Sequence, residues 1–546
     1  MEKKRILRIL LSLGITAVVG FVTFYIALPP LNFHAVGFYF YMIFLCLLYS
    51  GAYFVLSISA WKDRRYRQPA GGRSYGATAG LLLAALLFAI LCVGGLFSAQ
   101  LFHAKRYASV ATIETAAFEE DMPELTSVTN IALMDTDSAR IIGNRTLGAL
   151  SELVSQYRIN ETYTQINYQN RPQKVANLEY DDFFKWFNNH GEGVPGYVMV
   201  DPVNNSAAYK KLEKPLRYVE SGYFGDNLMR KLRFSYPTKI FDTCYFEIDE
   251  EGNPYYIVSC LSPKIALFGA MDVSEVIIFD PCDGSSELYP VGEVPSWVDI
   301  VYDGELAMEK YNWYGTLSGG FWNSVIGNKN CKETTDDYGY IVLGDDVWYF
   351  TGVTSVTSDE SNIGFIITNA RTGEYKFYPV VGAEEYSAMG AAEGEVQEKG
   401  YVASFPSLIN VGGQATYIMV LKDTGGLVKL YALVNVENYG IVATGETQTE
   451  AIAAYKKLLR TNQVDLNGSD EVTKEITVEE VRVIAVEDLT TVYITDTDGN
   501  VYKGYLKSDE SLILIRSGDR LRVSYAPTEI DRLYFLESWE FAAQSE

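Results

Sequence analysis

Three long apolar runs fill the first hundred residues, and apolar and polar positions alternate over shorter distances after them. The runs cover residues 6–28, 35–60 and 77–99. Each approaches or exceeds the ~20 apolar residues that a helix needs to cross a bilayer. The pattern predicts a transmembrane anchor of three helices over residues 1–102. A cleaved signal peptide shares the basic start of the first run, but no A-x-A-like site follows cleanly, so we expect that helix to be retained.

Basic residues predict how the chain sits in the membrane. Four of them stand at or before the start of the first run, and five fill the link between the second and third: Lys3, Lys4, Arg5 and Arg8, then Lys62, Arg64, Arg65, Arg67 and Arg73. The link between the first two runs has none. Because cytoplasmic loops are enriched in Lys and Arg, we expect a cytoplasmic N-terminus and extracytoplasmic residues 103–546 in the cell membrane.

The charge distribution excludes two classes of function. Residues 1–106 hold 11 Lys and Arg against 2 Asp and Glu, whereas the rest holds 34 against 67, a net charge of −33. So acidic a domain is not suited to nucleic acid, which requires clustered cations. The middles of the apolar runs have no charged residue, which argues against a channel or transporter. The partners that we expect are membrane lipid and an unidentified protein.

One apolar run also carries a ridge of small residues. Gly76, Gly80 and Ala84 recur every four residues, a spacing that allows close helix contact. The ridge is suited either to packing the three helices of one chain together or to joining separate chains in a homo-oligomer.

Internal repetition is the strongest signal in the rest of the chain. Residues 197–212, 276–291 and 365–380 align without gaps as strand, turn and strand, with Asp201, Asp280 or Asn369 leading the turn. Such β-branched arms and turn residues predict β-hairpins. A looser fourth copy covers residues 416–434. Amphipathic helices between the hairpins, one capped by Asp226 and one with a Thr447–Glu450 capping box, predict an α+β module that recurs.

These segments resemble the PepSY domain, which is named for the propeptides of certain secreted metallopeptidases. The matching residues are Phe246–Asp249, Gly252, Val276–Asp280 and Gly284 in the first copy, with further copies over residues 363–380 and 436–459. The resemblance implies a non-enzymatic cell-surface module that binds or restrains a partner. It assigns no catalytic residues. Residues 107–195 do not fit its pattern.

The predicted domains therefore follow one another along the chain. After the anchor we expect a membrane-proximal α/β region over 103–195, PepSY-like repeats over 196–460, a linker over 461–475 and a small barrel over 476–546. Five short strands predict that barrel, at 478–488, 490–499, 500–508, 511–516 and 518–527, and it is similar to OB and SH3 barrels. The fold class is a membrane-anchored α+β protein with a terminal β-barrel.

Candidate chemistry is sparse. Of the histidines beyond the spans, His103 adjoins the third span and His190 follows a helix in a Gly-rich loop, where a turn role is favoured over catalysis. The opening D-x-D-x-N at Asp496 is typical of a calcium loop, but Val501 and Lys507 occupy its Gly and Glu positions, so a hairpin turn is expected. We expect no cofactor, no metal and no catalytic residue. If the turn of one hairpin centres on Gly252, Cys244 and Cys260 face one another and a disulfide is expected to be allowed.

The function that these observations favour is protein binding or assembly by an anchored, non-enzymatic protein of the bacterial cell envelope. The alternative is an envelope hydrolase that acts on glycan or peptide through two separated carboxylates, which need not be adjacent in sequence. A wide cleft lined by two carboxylates would favour the hydrolase. Flat sheet faces with an exposed aromatic patch would favour the binding protein.

The orientation can be tested with reporter fusions. A reporter that is active only outside the cytoplasm should work when it is fused at residue 110, and one that is active only inside should work at residue 70. A silent extracytoplasmic reporter at residue 110, together with an active cytoplasmic one there, would reverse the predicted orientation.

Overall fold

The computed structural model describes residues 2–62, 75–122, 133–357, 362–462, 472–486, 489–506, 509–527 and 532–542. The three predicted spans are confirmed as helices: α1 Glu2–Ala27, α2 Val36–Lys62 and α3 Tyr75–Ser98. All three are long and apolar enough to cross a membrane. Arg64, Arg65, Arg67 and Arg73 of the predicted cytoplasmic loop lie outside the described residues, and the orientation stays a prediction.

The ridge of small residues lies between helices of the same chain. A Cβ on Gly76 would come within 2.5 Å of the Tyr53 ring on α2, and one on Gly80 would collide with Ser50 Oγ. Ala84, one turn further along α3, is buried as well. The small residues therefore let the backbones of α2 and α3 approach closely, and they lie against α2.

The chain, with its spans included, divides into two compact units. One comprises residues 1–116 with 130–379, and the other comprises 117–129 with 380–546. Short elements follow α3 before the repeated part begins: α4 Gln100–Ala108, β1 Ile113–Thr115 and α5 Phe118–Asp121.

A helix followed by an antiparallel meander of strands occurs four times, and we call each occurrence a module. The first has α6 Thr136–Gly148, α7 Ser151–Val154, β2 Tyr157–Ile159, β3 Thr164–Tyr168, β4 Arg171–Tyr180, α8 Phe183–Asn189, β5 Val194–Asp201 and β6 Ser206–Leu216. The second has α9 Leu228–Ser235, β7 Ile240–Ile248, β8 Pro254–Ile265, β9 Gly269–Phe279 and β10 Ser286–Pro290. The domain boundary predicted at residue 195 is wrong, because it falls inside β5 and would divide the first sheet.

The third module completes the first unit, and the fourth lies in the second unit. The third has α10 Gly304–Leu317, β11 Lys332–Thr334, β12 Gly339–Leu343, β13 Asp346–Ser355, β14 Gly364–Asn369 and β15 Tyr375–Tyr378, with β1 added beside β15. The fourth has α11 Glu385–Glu395, β16 Val402–Ala403, β17 Ser407–Val411, β18 Gln414–Lys422, β19 Val428–Asn435, β20 Val442–Gly445 and α12 Gln448–Thr461.

The modules share an interruption in the first strand of the meander. In three of them this strand is split into two pieces that pair with the same neighbour: β2 and β3 with β4, β11 and β12 with β13, and β16 and β17 with β18. In the second module the strand stays continuous, but its register on β8 shifts between Phe241 and Cys244. A shared irregularity of this kind indicates that the modules are structural repeats.

The last hairpin of the meander turns in the same way in the first three modules, as predicted. Asp201 and Asn369 each end a strand, and Asp280 directly follows one. Their side-chain oxygens accept backbone N–H groups two residues on, at Val203, Cys282 and Arg371. A residue with positive φ follows four positions later, at Asn205, Gly284 and Gly373. This Asx-turn geometry explains the Asp or Asn in each copy.

The predicted fourth copy, residues 416–434, is a hairpin, but it is the hairpin before the one that corresponds to the other three copies. Asp423 does lead a turn, but that turn joins β18 to β19, one connection too early in the meander. The equivalent residue is Asn435 at the end of β19, whose side-chain oxygen accepts the backbone N–H of Asn438. One extra residue in the following loop hides this copy from an ungapped alignment.

In three of the modules, a backbone carbonyl in this turn accepts a hydrogen bond from the start of the same module. The residue after each Asp or Asn accepts a backbone N–H from the segment before the same module's helix: Pro281 from Tyr218, Ala370 from Tyr302 and Val436 from Ala383. Polar side chains then cap the helices, with Asn227 rather than the predicted Asp226 on α9. The predicted capping box of α12 is confirmed, since Thr447 and Glu450 bond each other's backbone N–H groups.

Five strands close into a barrel at the C-terminal end: β21 Val472–Val486, β22 Leu489–Asp496, β23 Val501–Tyr505, β24 Arg520–Pro527 and β25 Leu533–Phe541. Their order is β21-β22-β23-β25-β24, and β23 and β25 are parallel. The strand predicted at 511–516 is wrong, because Glu510–Leu514 is a 3-10 helix whose Leu512 fills the barrel interior. Most of the predicted linker, residues 463–471, lies outside the described residues.

The second module is hydrogen-bonded to the end of α1. Arg233 Nε donates to Leu28 O at 2.9 Å and Arg230 Nε to Tyr25 O at 3.2 Å. Phe234 on the same helix packs edge-on against Phe24. Because the last carbonyls of a helix have no partner within it, these arginines satisfy groups that would otherwise need water or lipid headgroups.

The same module also contacts α2 and α3. The connection between β8 and β9 places its backbone N–H groups of Leu267 and Phe268 on Ser98 Oγ, at 3.2 and 3.0 Å. The Phe268 ring packs edge-on against Tyr39 at the start of α2. The space beside Gly94, one turn before the end of α3, is filled by Leu267. The second module is therefore seated on the ends of all three spans. We call the described part of the first unit beyond the spans the body.

The α2–α3 contact generates a stability prediction. Replacing Gly80 with Ile should force the two helices apart and cost about 1–3 kcal/mol, the usual penalty for overpacking. The thermal midpoint of the detergent-solubilised protein measures the effect. Gly95→Ile is the matched control, because nothing lies within 4 Å of a Cβ added there. Equal midpoints for the two variants would contradict the close contact.

Candidate functional site

The polar residues considered for catalysis have structural partners. His190 ends α8, stacks on Trp186 with the rings 4.8 Å apart, and places Nδ1 3.4 Å from Asp226 Oδ2. His103 lies at a kink inside α4. Three acidic residues that stand beside another carboxylate in the sequence cap helices or bind side chains: Asp182 caps α8, Glu384 caps α11, and Asp346 binds Arg371.

The two cysteines expected to face one another do not. Cys244 lies opposite Val258, and Cys260 lies opposite Phe241. The hairpin bends around Glu251 instead of Gly252, because Asp249 N–H donates to Asn253 O and closes a three-residue turn. All six cysteines are free thiols, and burial raises the pKa of Cys260 to about 12, so this thiol is unreactive.

The calcium-like sequence at Asp496 is a hairpin turn, as predicted. Asp496 Oδ1 accepts the backbone N–H groups of Asp498 and Asn500, and Gly499 has a φ of +81°. Asp249 makes the same two bonds two and four residues on, to Glu251 and Asn253. The described residues hold no cluster of His, Cys, Asp and Glu that would bind a metal.

Two buried carboxylates meet where three modules join. Glu247 on β7 is fully enclosed, and its two oxygens accept the backbone N–H groups of Asp299 and Ile300, both at 2.9 Å. Asp299 Oδ2 in turn accepts the N–H of Asn167 on β3 at 2.8 Å. Sequence reasoning missed this pair, because the two residues lie 52 positions apart without a local signal.

The environment keeps this pair from ionising freely. Burial raises the pKa of Glu247 from 4.5 to about 8. Burial, and then the neighbouring Glu247, raise the pKa of Asp299 well above its usual value. A hydrolase needs carboxylates that reach the substrate, whereas these two are enclosed and bonded to backbone. Their arrangement fixes the joint between modules.

The barrel presents an unpaired sheet edge. The N-terminal part of β21, residues 472–477, lies between β24 and β22, but residues 481–486 pair with β22 alone among the described residues. Arg482 to Ala485 are all exposed, with Val483 and Ile484 at 56% and 47%. We call residues 481–485 the β21 edge. An exposed apolar strand edge is a template for pairing with another chain.

The β21 edge was partly visible in the sequence. Val483, Ile484, Ala485 and Val486 form a run that breaks the alternation of a strand with one solvated face. The pattern predicts the strand but not which residues lack a neighbour, because that depends on where β24 stops pairing.

The buried carboxylates generate a pH prediction. Between pH 4.5 and about 8 the folded protein holds a proton on Glu247 that the unfolded chain has released, so stability falls as pH rises through this window and levels off above it. The slope is at most about 1.4 kcal/mol per pH unit for each of the two carboxyl groups, because the pKa of Asp299 is raised as well. Thermal midpoints measured from pH 5 to 9 test this.

Asp299→Asn should flatten that decline, since it removes one carboxylate and leaves an oxygen for the N–H of Asn167. The exposed Glu251→Gln is the control and should follow the wild-type profile. A wild-type midpoint that rises from pH 5 to 8, or an Asp299→Asn profile that matches the wild type, would contradict the proposed ionisation.

The chain was also compared with known proteins. No family model matches it, and no curated protein matches it. The resemblance to PepSY domains and to OB or SH3 barrels therefore stays a prediction.

Proposed function

We propose that the chain is a non-enzymatic envelope protein, held by three spans, that binds a protein partner by strand addition at the β21 edge. The observation that carries this proposal is that, among the described residues, 481–485 pair on one side only, with β22, and that Val483 and Ile484 are exposed there. An extended partner segment would gain main-chain hydrogen bonds from the edge and apolar contacts from these two side chains.

The barrel's topology supports this assignment. A closed order of first, second, third, fifth and fourth strand, with a short helix after the third, is the arrangement expected of an OB-like barrel. OB barrels bind ligands beside the loop between their first two strands. The β21 edge leads into that connection. With 15 Asp and Glu against 8 Lys and Arg over residues 472–546, the barrel is suited to a polypeptide and not to nucleic acid.

The repeated modules fit the same role. A PepSY-like module implies partner binding without catalysis, and four modules make up most of the described chain between the spans and the barrel. The hydrolase alternative has no support from Glu247 and Asp299, since both are enclosed and bonded to backbone N–H groups.

The experiment places a photo-crosslinking amino acid at Arg482 in the full chain in native membranes. The wild-type background should give a discrete adduct with a protein. Val483→Lys with Ile484→Lys should reduce it roughly tenfold, because charge on an exposed edge opposes strand pairing. Ile513→Lys with Leu514→Lys is the matched control, since these side chains are equally exposed in the same barrel.

The identity of the adduct distinguishes the partners. A crosslinked dimer of this chain would indicate pairing between two β21 edges, and a different protein would indicate a hetero-complex. Adduct yields that are equal in both lysine backgrounds, or no adduct at all, would contradict binding at the edge.

A further inference from the structure

Exposed aromatic side chains gather beside the end of α1. Phe184 and Phe187 on α8 are 72% and 62% exposed, while Trp186 between them is buried in the body. Phe183 packs edge-on against Tyr223, and Trp186 lies 5.7 Å from Phe224, ring centre to ring centre. We call the exposed rings of this group the α8 surface: Phe183, Phe184, Phe187, Tyr223 and Phe224.

One arginine joins the α8 surface to the span. Arg230 Nη1 donates to Phe224 O at 2.6 Å, and its Nε donates to Tyr25 O. Its guanidinium also lies 4.2 Å from the centre of the Tyr25 ring. Because Tyr25 is two residues from the end of α1, the α8 surface lies near the level at which this helix leaves the bilayer.

A second apolar surface lies beside the end of α3. Trp322, Val325 and Ile326, in and just before the π-helical segment Asn323–Gly327 that follows α10, are exposed, Ile326 to 75%. Neighbouring Phe321 packs on a cluster that includes Tyr107, and Tyr107 OH donates to Ser98 O, the last residue of α3. We call these three exposed side chains the 322–326 surface.

The depth of the body fits contact with lipid. Leu267 fills the space beside Gly94, which lies inside the candidate span Gly76–Ser98. The side of the body that carries Leu267 therefore reaches at least to the ends of the spans. Exposed Lys105 and Arg106 stand just beyond α3, and Arg106 Nη2 donates to Lys264 O. These cations contrast with the net charge of −33 over residues 107–546 and suit anionic headgroups.

We propose that the α8 surface and the 322–326 surface bind the lipid bilayer, with their side chains in the boundary between headgroups and acyl chains. Aromatic residues favour that boundary because they are apolar with a polar or polarisable edge. An amphipathic element lying on a membrane buries one apolar face there, as Phe184 and Phe187 would. A single lipid plane covers both surfaces, whereas a protein partner would need two separate sites beside two different spans.

The test uses the full chain in nanodiscs of phosphatidylethanolamine and phosphatidylglycerol. A photo-crosslinking amino acid replaces Phe184 in one variant and Val325 in another. The control replaces Glu251, in the turn before β8. This strand is about 36 Å long, and its other end leads into the connection that contacts the spans. Mass spectrometry of the irradiated protein identifies the adducts, and an unchanged thermal midpoint confirms that each variant is folded.

Lipid adducts at 184 and 325, at least about tenfold above position 251, are the expected result. The proposal is overturned if either position gives no lipid adduct, if position 251 gives the same yield, or if the adducts at 184 and 325 are crosslinks to protein. Repeating the irradiation with phosphatidylcholine alone distinguishes the contributions: retained adducts indicate apolar insertion, and weakened adducts indicate an added contribution from anionic headgroups.

Discussion

The arrangement of the first unit depends on hydrogen bonds from the body to the ends of its own spans. A helix that ends at a membrane surface leaves carbonyl groups without partners. Arg233 satisfies Leu28 O, and the Tyr107 hydroxyl satisfies Ser98 O. Burial lowers the pKa of Arg233 to about 10, so it remains a cation at neutral pH. Removing it would leave several carbonyls of this joint without a donor.

The modules repeat one pattern of turn and hydrogen bond. A turn led by Asp or Asn reverses the last hairpin, and the next carbonyl along accepts an N–H from the segment before the module's helix. The joint between modules uses buried polar groups as well, since Glu247 bonds the segment before α10 and Asp299 bonds β3. Burying a carboxylate costs free energy unless its oxygens accept hydrogen bonds from donors in the right positions. The pair therefore favours one arrangement of the modules that it joins.

Local features of this fold were predictable from sequence, and non-local ones were not. The spans, the Asx-led turns and the capping box at Thr447 each depend on a few neighbouring residues, and the structure contains all of them. The prediction that Cys244 faces Cys260 is wrong because the turn is centred one residue earlier than expected. That shift changes the partner of every residue along the two strands. Residues 511–516 are apolar, as in a strand, but they follow the end of β23 too closely to form the next strand. The strand Leu533–Phe541 pairs in parallel with β23, and no local sequence pattern reveals that pairing.

The candidate surfaces show the same limit. The sequence around Phe183–Phe187 predicts an aromatic helix, but only the contact of Arg230 with Tyr25 places it beside a span. The β21 edge likewise depends on how far β24 pairs along β21. Exposure is set by what the rest of the chain leaves uncovered, and residues far apart in sequence decide it.

Amide hydrogen exchange of the full chain in nanodiscs tests whether the body is fixed to the span ends. The backbone N–H groups of Leu31, Leu267 and Phe268 all donate across this joint. If the body is fixed, these three amides should exchange as slowly as those in the middle of β8. Exchange at the rate of the exposed turn at Glu250 and Glu251 would contradict it and would indicate a body that is only tethered to its anchor.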